Sequence, residues 1–143
     1  MLRRLKCDNA TRERVCEIVR YHDIPIELSE KYMRRQLAKH GERLVDIFRA
    51  HIADDSAKQP FCLERIPKWQ QAITLAEKIA AGTPCVSLKQ LAVRGSDLSE
   101  IVPPSPQMGR LLEKLLAEVI DGKLPNERGA LLRRARELYA EKD

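Results

Sequence analysis

The fold is decided by residues 86–124, which read VSLKQLAVRGSDLSEIVPPSPQMGRLLEKLLAEVIDGKL. This stretch predicts two short helices, a proline-rich turn and one strongly amphipathic helix. Ser105 is a favourable N-cap, and Pro106 occupies the first helical position, where a missing N–H costs nothing. Gly122 stands where a left-handed residue ends a helix, and Pro125 closes the turn. Apolar residues recur at helical spacing between these ends: Met108, Leu111, Leu112, Leu115, Leu116, Val119 and Ile120.

Helices are also predicted on both sides of this stretch. Four precede it, at about residues 10–22, 29–40, 42–58 and 63–81, and Asn126 is the predicted N-cap of a last helix. Ser96 or Asp97 is predicted to cap a short segment at 98–101. No alternating run rich in β-branched residues occurs. The predicted fold is therefore all-α: a helical bundle of about seven helices in two small subdomains, 1–82 and 83–143, separated by the turn at 82–84.

The composition excludes several classes of protein. No run of about 18 apolar residues occurs, so a membrane span is not expected. The first residues contain no apolar signal-peptide core, and the protein is expected in the cytoplasm. Its four cysteines form no C-x-x-C pair and are predicted to be free thiols. The net charge of +5 favours a polyanionic partner, while an aromatic content of only 4% argues against single-strand recognition by base stacking.

Residues 86–139 resemble the C-terminal region of bacterial CCA-adding enzymes and poly(A) polymerases, the tRNA nucleotidyltransferases. The resemblance rests on an ordered set: GSDL at 95–98, PSPQMG at 104–109, a leucine-rich helix, and DGKLPN at 121–126. The family shows Gly-x-Asp-Leu, a Pro/Gly-rich turn ending in Gly, a leucine-rich helix, and an Asn before a last helix. This chain departs from the pattern at Ser105, where the family often has Gly, and in a shortened link from Leu98 to Pro103.

The resemblance implies that the chain is a non-catalytic C-terminal segment that positions tRNA for addition of CCA to its 3′ end. Lys and Arg neutralise phosphates, and an RNA helix is recognised by shape without base contacts. The predicted RNA contacts are Lys89, Arg94, Arg110, Lys114, Arg128, Arg133 and Arg134.

The first 82 residues resemble the last part of an HD-type phosphohydrolase segment. Asp54 lies in an Ala-Asp-x-x-Ala context at 53–57, which corresponds to the final metal ligand of that segment, and His22 is a possible auxiliary ligand. Imidazole and carboxylate groups are suitable ligands for a divalent ion that activates water. The upstream His and the His-Asp dyad of the HD pattern are not found before His22. The two residues are therefore predicted either as an incomplete metal site or as ordinary helix residues.

Nucleotide addition requires paired metal-binding carboxylates, which the family carries in an N-terminal head as Gly-Ser…Asp-x-Asp. Here Gly95-Ser96 is followed by Asp97 without a second Asp two residues later. The resemblance thus implies that this chain begins inside the HD-like segment, holds no cofactor of its own, and depends on a separate catalytic head that uses Mg²⁺. Two alternatives stay open: a fragment of a metal-dependent phosphohydrolase, and a helical interaction or homodimerisation domain that buries its leucine stripe in a partner.

Overall fold

The computed structural model describes residues 4–58, 60–82 and 84–141. Those residues form seven α-helices and two 3-10 helices, with no strand among them, which confirms the predicted all-α fold. The α-helices are α1 Asn9–Arg20, α2 Glu30–His40, α3 Arg43–Ala57, α4 Ile66–Ala81, α5 Gly95–Leu98, α6 Pro106–Ile120 and α7 Arg128–Ala140. The 3-10 helices are Pro60–Arg65 and Leu88–Gln90.

Two compact units make up the chain, Met1–Ala81 (unit 1) and Gly82–Asp143 (unit 2). The turn predicted at 82–84 includes Thr83, which lies outside the described residues. None of the described helices is long and apolar enough to cross a membrane.

The core of unit 1 is built by α2, α3 and α4. Its fully buried side chains include Met33 of α2, Phe48 of α3 and Ala76 of α4. The Ser29 hydroxyl accepts a hydrogen bond from the Tyr32 N–H at 3.2 Å. Ser29 is therefore the N-cap of α2, at the position where the sequence predicts the helix to start.

The fourth helix begins three residues later than predicted. An α-helix starting at residue 63 would need an N–H from residue 67 to satisfy the carbonyl of Leu63, and Pro67 has none. Residues 60–65 form a 3-10 helix instead, and α4 begins at Ile66 with Pro67 in its first turn.

Ion pairs and hydrogen bonds connect α1 to α2 and α3, while its apolar residues Val15 and Ile18 are only half-buried. No described residue of α1 is fully buried, and Val19 is 61% exposed. Arg14 pairs with Asp46 of α3. Glu17 accepts hydrogen bonds from Arg43 at 2.5 Å and from the buried His40 at 3.0 Å.

Unit 2 surrounds the amphipathic helix predicted from the sequence. The apolar face of α6 packs against α5, α7 and the 3-10 helix Leu88–Gln90. Leu98, Leu115 and Leu131 are fully buried in this core. Gly122 has a φ of 72°, the left-handed conformation that its place after the helix predicted.

Ser105 is the N-cap residue of α6, but its side chain does not cap the helix. In a capped helix, the Met108 N–H would donate a hydrogen bond to the Ser105 hydroxyl. Here it donates to the Ser105 carbonyl instead, at 3.0 Å. The hydroxyl is buried and has no partner among the residues that the structure describes. The predicted position of the cap is therefore correct, while the predicted capping bond is wrong.

Two further caps differ from the prediction. The N-cap of α7 is Glu127 rather than Asn126. The short helix α5 begins at Gly95, so Asp97 is its third residue and reaches back to accept the Arg94 N–H at 2.7 Å. A Cβ at Gly95 would lie 3.1 Å from the Met108 sulfur, a tight contact that the Met108 side chain would have to relieve by shifting slightly.

Candidate nucleic-acid interface

Asn126 connects two distant parts of unit 2. Its Oδ1 accepts the Ala92 N–H at 2.8 Å, and its Nδ2 donates to the Gln90 carbonyl at 2.9 Å. We call this pair of hydrogen bonds the Asn126 clamp. The clamp joins the turn between α6 and α7 to the segment that precedes α5, which explains why the Asn126 side chain does not cap α7.

Asp97 makes a second connection beside the clamp. Its Oδ2 accepts the Arg94 N–H, while its Oδ1 lies 2.8 Å from Nη2 of Arg128 at the start of α7. Arg128, one of the predicted RNA contacts, therefore has a carboxylate partner within unit 2.

Arg134 is the most extensively paired of the predicted RNA contacts. Its Nε and Nη2 both donate to the Glu118 carboxylate at 2.9 Å, and its Nη1 donates to Glu137 at 3.0 Å. The Arg134 guanidinium holds the pKa of Glu118 below its usual value, and Glu118 in turn raises the pKa of Arg134. This bidentate pair ties α7 to α6.

The other five predicted contacts lack such partners. In the described parts of the chain, no ion pair within 4.0 Å involves Lys89, Arg94, Arg110, Lys114 or Arg133. Arg110 and Lys114 stand one turn apart on α6. Together with Gln107 they line a small cleft against Tyr139 of α7. The structure thus separates the seven residues into two that connect elements of unit 2 and five that face solvent. Their contact with RNA stays a prediction.

The two predicted metal ligands have local partners. His22 is exposed, and its Nδ1 lies 2.6 Å from the Val19 carbonyl, to which it donates. Asp54 pairs with Lys58, and that hydrogen bond holds the pKa of the Asp54 carboxyl below its usual value. Across residues 4–58, 60–82 and 84–141, no group of three or more His, Cys, Asp or Glu side chains could hold a metal ion. A metal role for His22 and Asp54 stays a prediction.

A buried polar cluster in unit 1 was not predicted as a unit. The His51 ring stacks on the Trp69 ring with centroids 4.0 Å apart, and the Trp69 indole N–H donates to Asp55 at 3.0 Å. Arg65 lies 4.0 Å from the same carboxylate. The sequence signal was His51 and Asp55 on the apolar stripe of α3, one turn apart. Trp69 lies on the apolar stripe of α4 with Ala72 and Ala76, so its burial follows from the sequence, whereas its pairing with His51 and Asp55 does not.

We expect unit 1 to become less stable as the pH falls through about 6.5, because His51 is buried. Burial lowers the pKa of His51, and a hydrogen bond to the Tyr21 backbone and the charges of Asp54 and Asp55 oppose this shift only in part. The unfolded chain therefore binds a proton on this ring at a higher pH than the folded chain does, and stability rises with pH in that window.

Urea denaturation between pH 7.5 and 5 measures the effect, with His51→Gln as the comparison, since glutamine does not titrate. The slope of the free energy of unfolding against pH is expected to be smaller in the variant. An equal slope in both proteins would show that another group is responsible.

Comparison with known proteins identifies the family. A family model described as tRNA nucleotidyltransferase domain 2 matches residues 1–135, nearly the whole chain. The chain belongs to this tRNA nucleotidyltransferase family. A CCA-adding enzyme of Levilactobacillus brevis is 48% identical to it over 50 residues, which are 34% of this chain and 13% of that enzyme. No solved structure matches the chain.

Membership in the tRNA nucleotidyltransferase family confirms the resemblance inferred from residues 86–139. The aligned part spans only about an eighth of the length of the curated relative, so the activity of that whole enzyme is not transferred to this chain by the match.

Proposed function

We propose that this chain positions tRNA for a tRNA nucleotidyltransferase through unit 2 and does not itself transfer nucleotides. The observation that carries the proposal is the separation of the cations in unit 2. Within the described part of this family member, five of the seven predicted contacts have no carboxylate partner within 4.0 Å.

Unpaired surface cations are suited to phosphate binding for a simple electrostatic reason. A cation that already pairs with a carboxylate must give up that partner before it binds a phosphate, whereas a solvated one releases only counterions from the nucleic acid. The backbone of Arg110 and Lys114 is additionally fixed by α6, so less backbone freedom is lost when RNA binds. We therefore assign these two a larger share of the affinity than Arg128 and Arg134.

The same proposal assigns the chemistry of transfer to a separate catalytic head that uses Mg²⁺, with the protein acting in the cytoplasm. The support is the family membership together with the sequence, in which Asp97 is not followed by a second aspartate two residues later. This chain is then expected to bind tRNA without turnover of nucleoside triphosphates.

The proposal predicts salt-dependent binding of tRNA that depends on α6. We expect the dissociation constant to rise between about 40-fold and about 150-fold between about 50 and 200 mM salt, the effect of neutralising about three to four phosphates. The double variant Arg110→Glu, Lys114→Glu is expected to bind about tenfold more weakly at the lower salt, because two attractive contacts become repulsive. Fluorescence anisotropy with a labelled tRNA transcript measures both quantities.

The matched control is Lys68→Glu, Lys78→Glu, which reverses two exposed charges of α4 in unit 1 and changes the net charge equally. Affinity equal to that of the unmodified chain is expected for this control. An equal loss in both variants would indicate only a general charge effect. A concentration-dependent dimer without any affinity for tRNA would overturn the proposal in favour of an interaction domain.

A further inference from the structure

The Asn126 clamp also bears on how the RNA-binding surface is arranged. We propose that Asn126 is a positioning residue, which fixes the backbone that carries Lys89 and Arg94 so that both cations face the phosphates of tRNA together. This inference rests on the proposed function, since it concerns the same surface of unit 2.

The segment that carries these two cations is held from both sides. The side chains of Leu91 and Val93 are buried in the core of unit 2, while residues 90, 92 and 94 are exposed. The clamp binds the exposed edge through the carbonyl of Gln90 and the N–H of Ala92. Two bonds from one planar amide to two groups of an extended segment fix both its distance and its orientation.

Hydrogen bonds within the segment also fix the residues that precede Ala92. The Gln90 side chain accepts hydrogen bonds from the Val86 N–H at 3.1 Å and from the Ser87 hydroxyl at 2.9 Å. The 3-10 helix Leu88–Gln90 is therefore closed by its own glutamine, and Asn126 then anchors that closed unit to the start of α7.

Lys89 and Arg94 flank the clamped residues directly. Lys89 is adjacent to Gln90, and Arg94 lies two residues beyond Ala92, with its own N–H held by Asp97. Neither cation belongs to a long helix that would fix its backbone. Arg110 and Lys114, in contrast, lie on the 15-residue helix α6 and need no clamp.

The position of Asn126 favours a positioning role over a purely stabilising one. Both of its hydrogen bonds lie at the exposed surface, where water replaces a lost partner at small cost. Removing the amide should therefore leave the core around Leu115 intact. The segment is instead expected to lose its fixed arrangement. Binding of RNA must then order the segment, and the entropy lost in doing so weakens the affinity.

A double-mutant cycle on the full 143-residue chain tests this inference. Asn126→Ala is expected to weaken tRNA binding about fivefold, while Asn9→Ala, the same change in unit 1, leaves it unaltered. Lys89→Gln should weaken the unmodified chain about threefold but have almost no effect in the Asn126→Ala background. Lys114→Gln should weaken binding about threefold in both backgrounds, because α6 fixes it independently.

Circular dichroism at the temperature of the binding assay establishes that each variant is folded. If Asn126→Ala is not, Asn126→Ser replaces it, since serine adds no charge and its single hydroxyl oxygen cannot hold the two backbone groups that the planar amide binds with two separate atoms. Equal effects of Lys89→Gln in both backgrounds, with the unmodified chain binding tRNA, would overturn the positioning role alone. Absence of binding by the unmodified chain would overturn both this inference and the proposed function.

Discussion

Replacing Leu115 by alanine is expected to lower the free energy of unfolding of unit 2 by about 3 kcal/mol. Leu115 is completely buried near the middle of α6, within the core formed with α5 and α7. Truncation removes apolar contacts and leaves a cavity that the surrounding helices fill only in part. Urea denaturation followed by circular dichroism at 222 nm, a wavelength at which helices dominate the signal of this all-α chain, measures the change.

Leu88→Ala is the matched control, because the same atoms are removed from a leucine of unit 2 that is 44% exposed. Its expected cost is about 1 kcal/mol or less, because only part of the side chain is removed from water. A similar loss for both variants would contradict the assignment of Leu115 to the core.

Trp69→Phe is expected to lower the free energy of unfolding of unit 1 by about 3 kcal/mol. Phenylalanine fills part of the indole volume but has no N–H for Asp55, whose carboxylate is buried with only 4% of the residue exposed. Among the described residues, Arg65 is the cation paired with Asp55, at 4.0 Å, and this distance is too long to replace the hydrogen bond lost from Trp69. Stacking of His51 on the larger indole ring is reduced as well.

The contribution of the Asp55 hydrogen bond is isolated by repeating the substitution in an Asp55→Asn background. An amide is less costly to leave without a partner than a charged carboxylate, so Trp69→Phe should cost about 1 kcal/mol less there. Equal costs in the two backgrounds would assign the whole effect to packing of the ring.

Local signals predicted much of the fold. The position of α6 follows from Ser105 and Pro106 at its start, Gly122 after its end, and apolar residues at helical spacing between them. Those signals depend only on neighbours within about two turns of the chain. The same signals predict a capping hydrogen bond from the Ser105 side chain, which does not form. The Ser105 carbonyl accepts the Met108 N–H in its place, and the sequence gives no means of choosing between these two acceptors.

The candidate interface was predictable in its chemistry but not in its arrangement. Composition and the family pattern indicated basic residues in unit 2. Which of them pair internally depends on residues far apart in the sequence, as with Arg134 and Glu118, or Arg128 and Asp97. Asn126 illustrates the same limit, since its partners lie 34 and 36 residues away. An asparagine just before a helix locally favours an N-cap. The alternative partners, the Ala92 N–H and the Gln90 carbonyl, come within reach only in the folded chain.

The ion pairs of α1 have a consequence for which substitutions this helix should accept. Arg14 pairs with Asp46, and Glu17 pairs with Arg43, so a change at one member leaves the other without its partner. The exposed Val19 is not constrained in this way, whereas Val15 and Ile18 are half-buried. We therefore expect charge reversals at Arg14 or Glu17 to be accepted more readily when Asp46 or Arg43 on α3 is reversed with them, so that two segments about thirty residues apart in the sequence are coupled.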